Sequence, residues 1–310
     1  MTFLSHQDNV GSNLWWLKET KGFTNHDKCI LSFFKIVYLG TRFLLKITLG
    51  KERTNSIYKE RGINFKQFFY KSVNFLRLRN FMLLEIDVPK YDYKVCCPLN
   101  EEVFGMMTKH EDEIIERFSP REGDIVIDIG AYMGQYTIIS SKCVGQNGKV
   151  VAIEAHQGNF EMLNRNIKLN KLTNVIALNY AVYSKQTKLK LYLSDEALGY
   201  AGIHSIILER VREIAKKFVE VDANTVDKVL HQNGINAVNW MKIDVEGAEL
   251  EVLKGAHNIL SNSKDISILI EIHSMSCLYK PIMELLNSYN FKMEFEKSYE
   301  WGDIHVIVRK

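Results

Sequence analysis

The chain has 310 residues, 46% of them hydrophobic and 25% charged, with only 4 prolines. That profile excludes a disordered linker protein and allows one large α/β domain with an extension. The net charge of +3 is unevenly spread: residues 1–80 hold 14 Lys/Arg against 5 Asp/Glu, and the remainder 26 against 32. A basic front end therefore precedes a mildly acidic body, an asymmetry that points to different partners for the two parts. Five cysteines, an odd number with no CxxC pair, exclude a disulfide framework and a zinc ribbon. They suit a reducing, cytoplasmic compartment. The opening residues lack a basic region followed by an apolar run, so no secretory leader is expected.

In the front end, residues 30–49 are nearly long and apolar enough to span a bilayer, but Lys35, Arg42 and Lys46 interrupt them. With Lys28 these cations fall on one helical stripe, opposite Phe33, Phe34, Val37, Phe43 and Leu44. Residues 28–49 therefore read as an amphipathic helix suited to the surface of an anionic membrane. A helix packed on the body with its charges in water is the competing reading. Residues 64–80 also interleave aromatic and basic residues, but no nucleic-acid-binding motif accompanies them, so nucleic acid is not expected as a partner. The expected domains are a mainly helical extension over 1–80 and a catalytic domain over 81–310.

A strand pair is expected at 81–88 and 93–99, then a helix at 110–118 ending before Pro120. From residue 121 apolar runs alternate with helical spacing. Strands are predicted at 124–130, 149–155, 174–182, 238–245 and 266–273. Helices are predicted at 134–144, 157–170 and 281–289, and one after the fourth strand with Leu250, Leu253, Ala256 and Leu260 on one face. Two closing strands, 291–297 and 303–310, read as an antiparallel edge hairpin. This order predicts an α/β fold with a mostly parallel sheet covered by helices on both faces. Residues 183–230 break the rhythm with two strands (188–194 and 218–223), a polar loop carrying Gly199, Gly202, His204 and Ser205, and a basic segment. Such an insertion lies where open sheets bind ligands and is a candidate substrate lid, with surface elaboration as the alternative.

The first strand of the body ends Asp128-Ile129-Gly130-Ala131-Tyr132-Met133-Gly134. Two glycines four apart permit a sharp turn and close backbone approach. The third glycine of a dinucleotide fingerprint is missing, which counts against an NAD-linked dehydrogenase, the second enzyme class considered. An acid before the turn suits a cationic or zwitterionic ligand such as S-adenosylmethionine. Glu154 ends the second strand, where a carboxylate accepts hydrogen bonds from ribose hydroxyls. Asn179, Tyr180 and Ala181 follow the third strand, at the expected adenine edge.

The fourth strand carries the string Met241-Lys242-Ile243-Asp244-Val245-Glu246-Gly247-Ala248-Glu249, and the fifth ends in Glu271 and His273. Alternation along a strand would point Asp244 and Glu246 into one cleft. Asp244, Glu246 and His273 are therefore the catalytic candidates, with His273 a candidate general base or, alternatively, a structural hydrogen-bonding group. A divalent metal such as Mg²⁺, held by Asp244, Glu246 and Glu271 or His273, is a second way to activate a hydroxyl, although no metal ligand is assigned from sequence.

Together the strings at 123–140, 148–155, 164–182 and 238–256, with Glu271-Ile272-His273, resemble the FkbM family of S-adenosylmethionine-dependent methyltransferases. The resemblance covers about residues 110–310. It implies a seven-stranded class I, Rossmann-like sheet, with methylation of a hydroxyl on a sugar, glycan, lipid-linked or other small-molecule acceptor. It carries cofactor roles onto Asp128, Gly130, Gly134 and Glu154, and places Asp244 and Glu246 near the reacting centre. Ala131, Tyr132, Ala155, Asn179, Ala181 and Asp244 complete the expected cofactor site. Ala155 stands where the family usually has proline. A non-catalytic membrane-surface protein keeping the fold is the remaining alternative.

Overall fold

The aliphatic runs of the body have the composition of strands covered on both faces, and they form one sheet. The computed structural model describes Val37 and residues 83–98, 112–193, 204–205, 217–273, 276–300 and 302–310. Apart from Val37 the basic stripe of residues 28–49 lies outside the described residues, as do residues 64–80, Gly199 and Gly202. Two compact units are distinguished, Met1–Gly105 and Met106–Lys310.

In the first unit, β1 (Leu83–Val88) and β2 (Tyr93–Pro98) pair antiparallel through a 3₁₀ turn at Pro89–Tyr91. This is the expected lead-in pair. The division groups it with the N-terminal unit, whereas the sequence groups it with the body.

The second unit opens with α1 (Asp112–Arg117), whose Ile114 and Ile115 are buried. Then follow β3 (Ile125–Ile129), α2 (Gln135–Val144), β4 (Lys149–Ile153), α3 (Gln157–Leu169) and β5 (Val175–Leu178). After a small second sheet come α4 (Val226–Gln232), β10 (Trp240–Ile243), α5 (Glu249–Lys254), α6 (His257–Asn262) and β11 (Ser267–Ile272). The chain closes with α7 (Ser276–Ser288), β12 (Lys292–Ser298) and β13 (Ile304–Arg309). The main sheet runs β12-β13-β11-β10-β3-β4-β5. Its five central and far-edge strands are parallel, and β13 and β12 are antiparallel additions. This is the seven-stranded class I architecture expected from the sequence, with its C-terminal antiparallel hairpin.

One core cluster joins Ile127, Ile129, Met241, Ile243, Ile268 and Ile270 of the sheet to Leu230, Leu253, Leu260, Ile282 and Leu286 of the helices. A smaller cluster sets Ala152 against Leu163, with Phe160 and Ile167 of α3 beside it. Each fully buried aliphatic side chain contributes roughly 1.5–3 kcal/mol of transfer free energy, so these clusters fix which face of each helix turns inward.

Four elements differ from expectation. The third strand of the body stops at Leu178, and Ala181–Val182 form a separate strand, β6. β6 joins a second sheet of order β6-β9-β7-β8, built from β7 (Thr187–Leu193), β8 (His204–Ser205) and β9 (Lys217–Asn224). The expected helix after the fourth strand is two short helices, α5 and α6, that break at Gly255 and Ala256. A Cβ at Gly255 would lie 2.4 Å from the Tyr183 carbonyl oxygen, so backbone packing there leaves room only for glycine. Helix α7 starts five residues before Pro281, because Leu278 and Tyr279 extend its apolar face onto the core. The fourth strand ends at Ile243, so Asp244 and Glu246 sit in the following turn.

Because β4 and β5 lie to one side of β3 while β10 and β11 lie to the other, the strand order reverses between β3 and β10. In open α/β sheets the ligand crevice forms outside the carboxyl ends of the strands at such a point.

Candidate active site

Both strands at the reversal end in turns that bring backbones unusually close. Gly130 leaves β3 at φ 77°, and a Cβ there would lie 1.7 Å from the Asp244 carbonyl oxygen. At Gly134, φ 94°, a Cβ would lie 2.6 Å from Leu163 Cδ1 of α3. Glycine is thus required at 130 by backbone contact as well as by turn geometry, and at 134 by its left-handed backbone. Tyr132 (φ 52°) and Glu246 (φ 54°) are left-handed without being glycine. Such residues cost about 1–3 kcal/mol each and gather at ligand-binding turns.

Glu154 organises the β4 side. Its carboxylate accepts from Tyr132 N at 2.9 Å and from His156 N at 2.8 Å. Asn179 Nδ2 donates to the Glu154 carbonyl at 2.9 Å and to the Ala155 carbonyl at 3.3 Å, tying the ends of β4 and β5 together. Gly130 N and Ala131 N both donate to the Ile153 carbonyl at 2.9 Å. Gly130, Ala131, Tyr132, Glu154, Ala155 and Asn179 are therefore brought into one bonded rim. Burial pushes the Glu154 carboxyl up to about 7, against the two backbone hydrogen bonds that favour its charged form. Ala181 is instead buried in β6, paired with Ala223 of β9.

Asp128 is fully buried on β3, accepting from Thr137 Oγ1 at 2.5 Å. Burial pushes its carboxyl up, opposed by the Lys242 ammonium 3.8 Å away. Lys242 Nζ also reaches the Gly130 carbonyl at 3.3 Å and Asp244 Oδ2 at 3.0 Å. One buried cation thus joins the first turn to the second, and Asp128 meets the cleft through that cation. Sequence reading quoted Lys242 in its string without giving it a role.

The β10–β11 side is a carboxylate corner around one histidine. His273 Nε2 stands 3.7 Å from Asp244 Oδ1, 3.5 Å from Glu246 Oε1 and 3.5 Å from Glu271 Oε1. Its Nδ1 meets Glu249 Oε1 at 3.1 Å, and that oxygen also accepts from Gly247 N at 2.8 Å. His305 Nε2 holds Glu271 Oε2 at 3.2 Å. The side chains of Asp244, Glu246 and Glu271 are 27%, 19% and 18% exposed, against 5% for His273 and 0% for Glu249. The corner therefore opens to the cleft through its carboxylates.

Burial works against the charged form of His273, but Glu246, the hydrogen bond to Glu249, Asp244 and Glu271 outweigh it and hold the imidazole well above its usual range. Burial pushes Glu246 up to about 8, opposed by His273 and reinforced by the other carboxylates. For Asp244 burial is outweighed by Lys242, with His273 adding to it, and the carboxyl is held below its usual range. Glu249 and His305 were missed as members of the corner. Glu249 lies in the string after the fourth strand, whereas a lone histidine on the closing strand carries no spacing signal.

The three catalytic candidates thus meet at one point. They do so through the turn after β10, because Glu246 has left strand geometry, and not through alternation along a strand.

Several known proteins are similar to this chain. The hexuronic acid methyltransferase AglP of Haloferax volcanii is 27% identical over 176 residues, 57% of this chain and 66% of that protein. The methyltransferase sdnD of Sordaria araneosa is 28% identical over 205 residues, 57% of this chain and 76% of that protein. Among solved structures, methyltransferase FkbM from Methylobacillus flagellatus KT is 15% identical with a TM-score of 0.43, covering 60% of this chain and 43% of that chain. The family model described as the methyltransferase FkbM domain matches residues 128–293. That span runs from the buried aspartate of β3 to the hairpin and takes in more than half of the chain, which belongs to the methyltransferase FkbM domain family.

Proposed function

We propose that this protein is an S-adenosylmethionine-dependent O-methyltransferase that acts on a hydroxyl of a sugar, a glycan or another small-molecule acceptor. The observation that carries the reading is the joining of two half-sites by Lys242. The glycine turn with Glu154 lies on one side, and the Asp244–Glu246–His273 corner on the other. Family membership and the hexuronic acid methyltransferase relative support the reaction class and a sugar acceptor.

The residues fit the cofactor. The turn at Gly130 has no room for a side chain, and the nearby carboxylates suit a cationic, phosphate-free ligand. S-adenosylmethionine supplies a methyl group on a sulfonium centre that an oxygen nucleophile can take in line. Glu154 would accept hydrogen bonds from the ribose hydroxyls, using lone pairs its two backbone donors leave available. The turn after β10 orients the acceptor hydroxyl, and Asp244, the member of the Asp244–Glu246–His273 corner held in its charged form, takes the proton as the methyl group transfers. Positioning of this kind is worth about 7–11 kcal/mol of barrier. A second reading of the activation step, a divalent metal such as Mg²⁺ in the same corner, is favoured because one ligand atom each from Asp244, Glu246 and His273 lie within 4.8 Å of one another.

Calorimetry tests the reading. Wild-type protein is expected to bind S-adenosylhomocysteine, Glu154→Ala to bind it at least about ten-fold more weakly, and NADH not to bind. Absence of S-adenosylhomocysteine binding to wild type overturns the proposal, and tight NADH binding would favour a dehydrogenase.

A further inference from the structure

The distances around His273 Nε2 do not suit hydrogen bonds. Three carboxylate oxygens from two different strand ends face Nε2 at 3.5–3.7 Å. An imidazole N–H donating to a carboxylate is held at about 2.7–3.2 Å. Ligands bound at about 2.0–2.2 Å to one tetrahedral ion are separated from each other by roughly 3.3–3.6 Å. The spacing at Nε2 is thus close to the edge of a coordination shell and too long for hydrogen bonding.

The opposite side of the ring gives a second, independent indication. A metal-binding histidine donates its other ring nitrogen to a carboxylate or carbonyl, which fixes the tautomer and aims the free nitrogen at the ion. His273 Nδ1 does this with Glu249, whose side chain is fully buried. His305 restrains Glu271 in the same manner. The carboxylates facing Nε2 are the partly exposed ones, so the centre is open toward the cleft.

We propose that Asp244, Glu246 and His273 form a divalent-cation site for a first-row transition ion, Mn²⁺ or Zn²⁺ in preference to Mg²⁺. The preference follows from the imidazole nitrogen, which Mg²⁺ takes poorly and the transition ions take well. Asp303 has a ligand oxygen within the same 4.8 Å reach of Glu271 and His273, so the Glu271 side of the site is itself flanked by an acid. The proposal deepens the methyltransferase reading and rests on it for the site's role, which is to receive the acceptor hydroxyl beside the cofactor cradle.

The full chain, stripped with chelator and freed of any histidine tag, would be equilibrated separately with MnCl₂, ZnCl₂ and MgCl₂. Bound ion would be counted by mass spectrometry and Mn²⁺ affinity followed by electron paramagnetic resonance. About one ion per chain is expected, with affinity in the order Zn²⁺, Mn²⁺, Mg²⁺. His273→Ala should weaken Mn²⁺ binding about 100-fold, and the near-isosteric Glu246→Gln about 10-fold or more. Wild type that retains no Mn²⁺ or Zn²⁺, or variants that bind like wild type, overturns the site. S-adenosylhomocysteine calorimetry on the same samples separates the two readings. Cofactor binding without metal sinks only the cation site, and metal without cofactor binding sinks the methyltransferase assignment.

Discussion

Glu154 has both carboxylate oxygens on backbone donors, yet burial pushes its carboxyl up to about 7 from an ordinary 4.5. Between those values the folded protein keeps a proton that the unfolded chain has released. The stabilisation this gives is complete below about pH 4.5 and is lost as the pH rises through about 7, an effect of about 3 kcal/mol for a group shifted this far. Ligand-free protein is therefore expected to melt at lower temperature at pH 8 than at pH 5, and Glu154→Gln to remove part of that slope, read by scanning calorimetry. Ribose hydroxyls need the charged acceptor, so S-adenosylhomocysteine should bind wild type about ten-fold more tightly at pH 8 than at pH 6, with the dependence flattened in Glu154→Gln. At this scale the sequence was informative wherever a residue's role is local. Asp128, Gly130, Gly134 and Glu154 are recognisable from their places at strand ends. Lys242, Glu249 and His305 were not, because their roles arise from partners 112, 24 and 34 positions away, or from the adjoining strand.

The elements position these residues through two close approaches. At Gly130 the end of β3 lies against the Asp244 carbonyl, so the first turn and the carboxylate corner are held at one fixed separation. Gly130→Ala must move the backbone or forfeit the left-handed turn. It is expected to cost about 3 kcal/mol, the upper end of single-residue backbone strain. It should also abolish measurable S-adenosylhomocysteine binding even below the melting temperature, a combination that circular dichroism with calorimetry would detect. Periodicity predicted most strands and helices from β3 onward. It failed where tertiary packing set the boundaries. Strand β5 stops at Leu178 because Ala181 and Val182 pair with β9. The α5–α6 break follows from the approach of the Tyr183 carbonyl to Gly255. Neither partner is visible to a local pattern.

Over the whole molecule, the main sheet and both of its core clusters lie within residues 106–310, so that unit carries its own core. A chain of residues 106–310 is expected to melt in one cooperative transition and to bind S-adenosylhomocysteine within about threefold of the full protein, since a domain with its own core folds alone. A loss of more than tenfold would assign part of the site to the first unit. The charge asymmetry divides the chain earlier, at residue 80, into a basic front end and a mildly acidic remainder. Among the described residues no helix is long and apolar enough to cross a membrane, and the cationic stripe of residues 28–49 lies outside them apart from Val37.

The sequence by itself determined the alternation of strands and helices, the mostly parallel sheet, its closing antiparallel hairpin and the glycine turn. Each of these depends on short-range spacing or on the rule that parallel strands are joined by right-handed crossovers. Only the tertiary structure decided that the fourth-strand carboxylates meet His273 through a turn, that Lys242 bridges the two half-sites, and that three carboxylate oxygens face Nε2 at 3.5–3.7 Å. Those facts depend on distances between chain segments far apart in sequence, which packing sets and no local pattern encodes.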